Sequence, residues 1–138
     1  PFEALDADYE IAKEAYLEYF RKMHQLFPKC KKMVMAVRNQ IASSHHTLSG
    51  LLYDAVEDQL YTTRIYDIEP IVDPMGVGDA FIAAYIHAHQ KWGDKNQYCL
   101  DFSLSASAIK NTVPGDQNLV TEEEIINNMT SSGGRIQR

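Results

Sequence analysis

One stretch constrains this chain more than any other. Ile68 to Ile86 reads IEPIVDPMGVGDAFIAAYI. A short apolar run, Ile71-Val72, is expected to form a buried strand that Asp73 ends. Pro74 fixes its own φ and pushes Asp73 toward extended geometry. Gly76 and Gly78 can adopt backbone angles that other residues resist, and they let a ligand approach the main chain. A helix is expected from about Gly78 to Lys91, closed by Trp92-Gly93. Its first amides have no partner within the helix and carry the positive end of its dipole, so a phosphate fits there. Asp79 sits among those amides, where its carboxylate is expected to be ionised and a weak base. That suffices for phosphoryl transfer, in which a loose transition state lets the acceptor hydroxyl keep its proton until late. The four residues also read as a tight turn with an acidic cap and nothing more. Two phosphate motifs are excluded: no lysine follows Gly78 before Lys91, as a Walker loop requires, and Phe81 stands where a dinucleotide fingerprint needs its third glycine.

The flanking sequence reads as alternating helices and strands. Ile11, Ala15, Leu17, Tyr19, Phe20, Met23, Leu26 and Phe27 recur at mostly three- and four-residue spacing, which predicts a helix from about Ala7 to Leu26, capped by Asp6 or Asp8 and stopped by Pro28. The unbroken run Met33 to Val37 reads as a buried parallel strand. Arg38 to Thr47 reads as irregular. Leu48 to Tyr53 and Leu60 to Tyr66 read as a hairpin around the acidic turn Asp54 to Asp58. A third helix is expected over Asn96 to Asn111, with small residues that allow close approach. Val113 to Asp116 breaks the chain, and Thr121 opens a fourth helix with the Thr-Glu-Glu-Glu of a capping box. The segment 130–138 reads as a loose polar tail. This alternation predicts an α/β fold with too few strands for a complete doubly wound sheet.

Composition narrows the function classes. Acids outnumber bases by 19 to 13 over 138 residues, which argues against nucleic acid bound by bulk charge. No apolar run approaches the roughly 20 residues that span a membrane. Cys30 and Cys99 lie far apart in no metal spacing, which suits a reducing cytoplasm. His45 and His46 are adjacent, and His87 and His89 are two apart on a helix, so neither pair is expected to share a metal. Arg38 reads as a surface arginine or a phosphate contact. Pro1 has no Met before it, so the chain reads as a piece of something longer.

The run Asp73-Pro74-Met75-Gly76-Val77-Gly78-Asp79-Ala80-Phe81 resembles the second signature of the ribokinase-like (PfkB) sugar kinases, D-T-x-G-A-G-D-x-F. Phe102 to Gly115 resembles the helix and Pro-Gly loop that follow it in that family. Within the family, Ser49 to Asp54, Pro114 to Val120 and Gly134 to Arg138 are most similar to 2-dehydro-3-deoxygluconate kinases. The resemblance implies that residues 1–138 are the C-terminal, nucleotide-binding part of such a domain, a ribokinase-like doubly wound sheet flanked by helices. It implies transfer of phosphate from Mg-ATP to a sugar acid, with Asp79 as general base and Gly76, Val77 and Gly78 as the anion hole. Asp116 is carried over as a substrate contact. Nucleotide contacts are expected near Arg38, from the third helix and from Pro114-Gly115. Val77 departs from the usual Ala or Gly, and Pro74 and Met75 also depart from the pattern. A monovalent cation beside Asp73 is a further family possibility, and a homo-oligomer of the full-length protein stays open.

Overall fold

Helix α1 (Tyr9–Leu26) forms where the amphipathic spacing places it, and Pro28 lies just past its end. The computed structural model describes residues 9–131. The expected cap at Asp6 or Asp8, the start at Ala7 and the tail beyond Ser131 lie outside the described residues. Tyr16 and Phe20 are buried against Met33, Leu51, Tyr53 and Leu60 of the sheet. Arg21 grips Asp58 through two hydrogen bonds of 2.9 and 2.7 Å. The Tyr53 hydroxyl donates to the same carboxylate at 2.8 Å. The Arg21 guanidinium, with Tyr53, holds the Asp58 carboxyl down at about 2.

Four strands follow, β1 (Lys32–Ala42), β2 (His45–Asp54), β3 (Gln59–Thr62) and β4 (Tyr66–Ile68). Strand β2 pairs with each of the others, always antiparallel. The expected parallel strand at Met33 to Val37 is therefore antiparallel, with Met33 opposite Tyr53 and Arg38 opposite Leu48. The segment Arg38 to Thr47 is not irregular: it continues β1, turns at Ser43-Ser44 and enters β2. The expected hairpin around Asp54 to Asp58 is present, with Asp54 opposite Gln59, but its second strand ends at Thr62 rather than Tyr66, which begins β4 opposite Leu48. The cause of the misreading is physical. An unbroken apolar run reports that both faces of a strand are covered, and says nothing of the direction of its neighbour. Here Val34 and Ala36 face one cluster, while Met33, Met35 and Val37 face the one under α1. Among the described residues, the expected doubly wound parallel sheet is a four-stranded antiparallel sheet with helices on both faces.

The helices beyond the sheet are α2 (Val77–Trp92), α3 (Asn96–Lys110) and α4 (Glu122–Thr130). Leu100, Leu104 and Ala108 of α3 pack on Leu48, Leu52, Tyr66 and Ile68. Gly50 permits this approach, because a Cβ there would lie 3.2 Å from Leu100 Cδ1. On its other side α3 meets Ala84 and Ala88 of α2 and Ile125 of α4 through Phe102, Ala106 and Ile109. The buried serines are satisfied by carbonyls: Ser103 donates to Cys99, Ser105 to Ile125 and Ser107 to Val77. Asp54 ties the hairpin turn to the start of α3, accepting from the amides of Val56 and Glu57 and from Asn96 Nδ2 at 2.8 Å. Helix α4 begins with the expected capping box. Its Glu122 binds His87 at 2.8 Å and Lys91 at 2.6 Å, fastening it to α2. Cys30 is exposed, Cys99 is buried, and both are free thiols. No helix among the described residues is long and apolar enough to cross a membrane.

Candidate functional site

The segment between β4 and α2 is not the strand that Ile71-Val72 suggests. Val72 is 54% exposed and lies in no sheet. The amides of Val72 and Asp73 instead bond the Asn111 carbonyl, at 2.8 and 3.2 Å, so this segment is docked on the C-terminal end of α3. Two apolar residues are too short a run to tell a strand from a buttressed loop.

Asp73 then organises the turn. One carboxylate oxygen accepts the Met75 amide, the other the Gly115 amide, each at 2.9 Å. The first bond is the local loop that an aspartate makes with the backbone two residues on. The second joins this turn to the Pro-Gly-Asp loop. These two amides, with a smaller contribution from the Lys110 charge, lower the Asp73 pKa below the ordinary carboxylate range. Sequence reasoning gave Asp73 the role of ending a strand, and the resemblance a possible cation beside it, but neither foresaw these two bonds. The Asp-Pro-x-Gly order was the available signal.

Gly76 is the N-cap of α2, at φ 75° in the left-handed region. A Cβ there would come within 2.3 Å of the Asp116 carbonyl oxygen. Only glycine meets both conditions, and the close approach places Asp116 against the turn. No side chain caps α2, in contrast to α4. The Ala80 amide makes the first helical bond, to the Gly76 carbonyl at 2.9 Å, so the Val77, Gly78 and Asp79 amides precede the helical ladder. The Ser107 hydroxyl holds the Val77 carbonyl at 2.9 Å and fixes this first turn on α3. Gly78 differs from Gly76: a Cβ there would meet nothing within 4 Å. Asp79 is exposed in the first turn.

The structure thus brings together Gly76, Val77, Gly78, Asp79, Gly115 and Asp116. Arg38 is exposed on β1, where it lines a recess with Tyr16 and Tyr19 of α1. Leu104, in the third helix, is wholly buried in the core. Arg64 is engaged elsewhere, donating to the Asn128 and Ser131 carbonyls at the end of α4. The histidine pairs diverge: His45 bonds Asp67 while His46 is buried, and His87 bonds Glu122 while His89 meets the Gly93 carbonyl. Chemically, the turn offers free amides, a helix dipole and an adjacent carboxylate. That set can hold an anion and orient a hydroxyl.

No family model and no curated protein matches the chain by sequence. Solved structures do. A PfkB family carbohydrate kinase from Listeria grayi matches with a TM-score of 0.78 and 29% identity, over 83% of this chain and 35% of that one. The 2-dehydro-3-deoxygluconokinase of Thermotoga maritima matches with a TM-score of 0.78 and 27% identity, over 86% of this chain and 35% of that one. A chain from Enterococcus faecalis matches over 80% of this chain and 31% of its own, at 17% identity and a TM-score of 0.69, a likeness of fold alone. The chain spans about a third of the length of the structures it matches.

Proposed function

We propose that this chain, a structural match to part of the PfkB carbohydrate kinases, supplies the phosphoryl-transfer face of an ATP-dependent sugar kinase. The substrate we assign is 2-dehydro-3-deoxy-D-gluconate, phosphorylated at its 6-hydroxyl. The observation that carries this reading is the uncapped N-terminus of α2, held by Asp73 against the Pro-Gly-Asp loop, with Asp79 exposed beside it. The acceptor hydroxyl lies between Asp79 and the γ-phosphate of Mg-ATP. Its oxygen bonds the γ-phosphorus as the bond to the β,γ-bridging oxygen breaks. Asp79 orients the hydroxyl and takes its proton late, then releases it to water. The amides from Gly76 to Asp79 stabilise charge on the transferred group. Magnesium carried on the nucleotide phosphates neutralises part of their charge. Asp116 contacts the sugar, and Gly115 and Arg38 contact the nucleotide.

The choice of sugar rests on the Pro114 to Val120 loop. Ser49 to Asp54 carries the same family likeness, but it is buried in β2 and speaks for packing rather than for substrate. Ribose, fructose or a nucleoside is the alternative within the same chemistry. A second reading is favoured by the 35% coverage: the chain binds nucleotide and completes no reaction alone. A coupled assay of the full-length protein with Mg-ATP and the sugar acid tests the first reading. Asp79→Ala is expected to lower turnover by about 10²–10⁴-fold while ATP still binds. Undiminished turnover in that variant removes Asp79 as the base. Calorimetry of ATP on the 138-residue chain separates the second reading, which requires binding without turnover.

A further inference from the structure

Lys110 is the most unusual side chain near the turn. It sits in the last turn of α3 and is wholly buried, which is rare for lysine. Its Nζ donates to the Val113 carbonyl at 2.9 Å. Val113 begins the Val-Pro-Gly loop whose Gly115 amide bonds Asp73. The next residue, Asn111, holds the Val72 and Asp73 amides through its carbonyl. Lys110 therefore stands at the junction of the two loops that frame the anion turn, and its charge acts on the Asp73 carboxylate.

The family resemblance leaves a monovalent cation beside Asp73 as a possibility. Such an ion is held by a shell of carbonyl and carboxylate oxygens. The residues here do not fit it. Each Asp73 oxygen accepts an amide, the Val113 carbonyl accepts Lys110, and a fixed positive charge already stands there to repel a second. We infer that the Lys110 ammonium is the built-in cation of this site, a positioning residue that joins the two loops so that the turn is set without a bound monovalent ion. This inference rests on the kinase reading for its catalytic consequence but not for its structural one.

The test compares the full-length protein in potassium chloride and in tetramethylammonium chloride at ~0.15 M. Melting temperature and, with Mg-ATP and the sugar acid, turnover are measured in both. The wild-type protein is expected to show the same melting temperature and turnover in each salt. Lys110→Met, which keeps the length of the stem and removes the charge, is expected to lose about 100-fold in kcat with a smaller change in KM. Potassium or ammonium is expected to restore part of that loss and to raise the variant's melting temperature. A wild-type protein stabilised or activated by potassium overturns the inference, and that arm needs no variant, so it decides even if Lys110→Met fails to fold. A folded Lys110→Met with wild-type turnover and no response to potassium also overturns it. If the wild-type protein phosphorylates no sugar, the kinase reading fails, and the melting temperatures alone judge Lys110.

Discussion

Asp73 and Gly115 are joined by a 2.9 Å hydrogen bond across 42 residues of sequence. That bond, with the Asp73–Met75 bond beside it, makes one rigid frame of two loops that are separate in the chain. Asp73→Asn is expected to break it. An amide side chain offers one acceptor oxygen, and its NH₂ would face the second backbone donor. On the proposed kinase reading, turnover of the full-length protein is expected to fall about 100-fold through mispositioning, with ATP binding weakened. The substitution should also change the acid response. A carboxyl whose pKa is lowered on folding contributes stability above its ordinary range and loses it as pH falls through the lowered value. Thermal melting from neutral pH downward should be less acid-sensitive at its low end in Asp73→Asn. Identical profiles for the two proteins would contradict the linkage.

The two glycines of the turn are expected to separate under substitution. Gly76→Ala forces a side chain into the left-handed region, at about 1–2 kcal/mol, and drives a Cβ into the Asp116 carbonyl, so its stability should fall by more than that figure. Gly78→Ala meets nothing and replaces glycine inside a helix, so stability should hold or rise by up to about 1 kcal/mol. Its phosphate affinity should nevertheless drop, because the methyl group narrows the approach to the amides. Denaturant melts paired with ATP calorimetry check both. Unimpaired nucleotide binding and turnover in Gly78→Ala would reduce that glycine to a tolerated helix residue.

His46 carries the acid response of the sheet. It is 4% exposed, and neither ring nitrogen has a hydrogen-bond partner within the described residues. Burial, then the charges of Arg38 and His45, pushes its pKa below the ordinary histidine value. The unfolded state therefore binds a proton more readily, so stability is expected to fall as pH drops through the ordinary histidine range toward the lowered one. His46→Leu removes a buried group whose polar atoms are unmet. It should flatten that slope and leave stability at neutral pH equal or higher. An NMR titration placing the His46 pKa above the ordinary histidine value would refute this account.

The capping box of α4 tests a feature fully legible in sequence. The Thr121 hydroxyl accepts the Glu124 amide at 3.2 Å, and Glu124 accepts the Thr121 amide at 2.8 Å. Thr121→Ala is expected to cost about 1 kcal/mol in a denaturant titration. The change should act on α4 alone and leave kcat unchanged.

Thr121 and Gly76 were legible because their roles are local: a cap and a helix entry are set by residues within a few positions of each other. The helices are legible for the same reason, α1 from its period and the proline that stops it, and α4 from its capping box. Asp79 was legible as a carboxylate at a helix start. Met33 to Val37 was legible as a doubly covered strand, but the antiparallel partner was not, because pairing direction depends on where Leu48 to Tyr53 returns. Ile71-Val72 reads as a strand in sequence, but its amides bond the Ser44 and Asn111 carbonyls, both far along the chain.

The sequence by itself therefore determined the helices and the chemistry of the turn: two glycines, a carboxylate and free amides at the head of a helix. Only the tertiary structure decided what holds that turn. The Asp73–Gly115 bond, the approach of Asp116 to Gly76, and the burial of Lys110 beside them all join residues distant in the chain. Local spacing cannot encode such contacts. They follow from α3 packing on the sheet and carrying its C-terminal loop against the start of α2, where the Asp73 carboxylate takes up backbone amides of both loops.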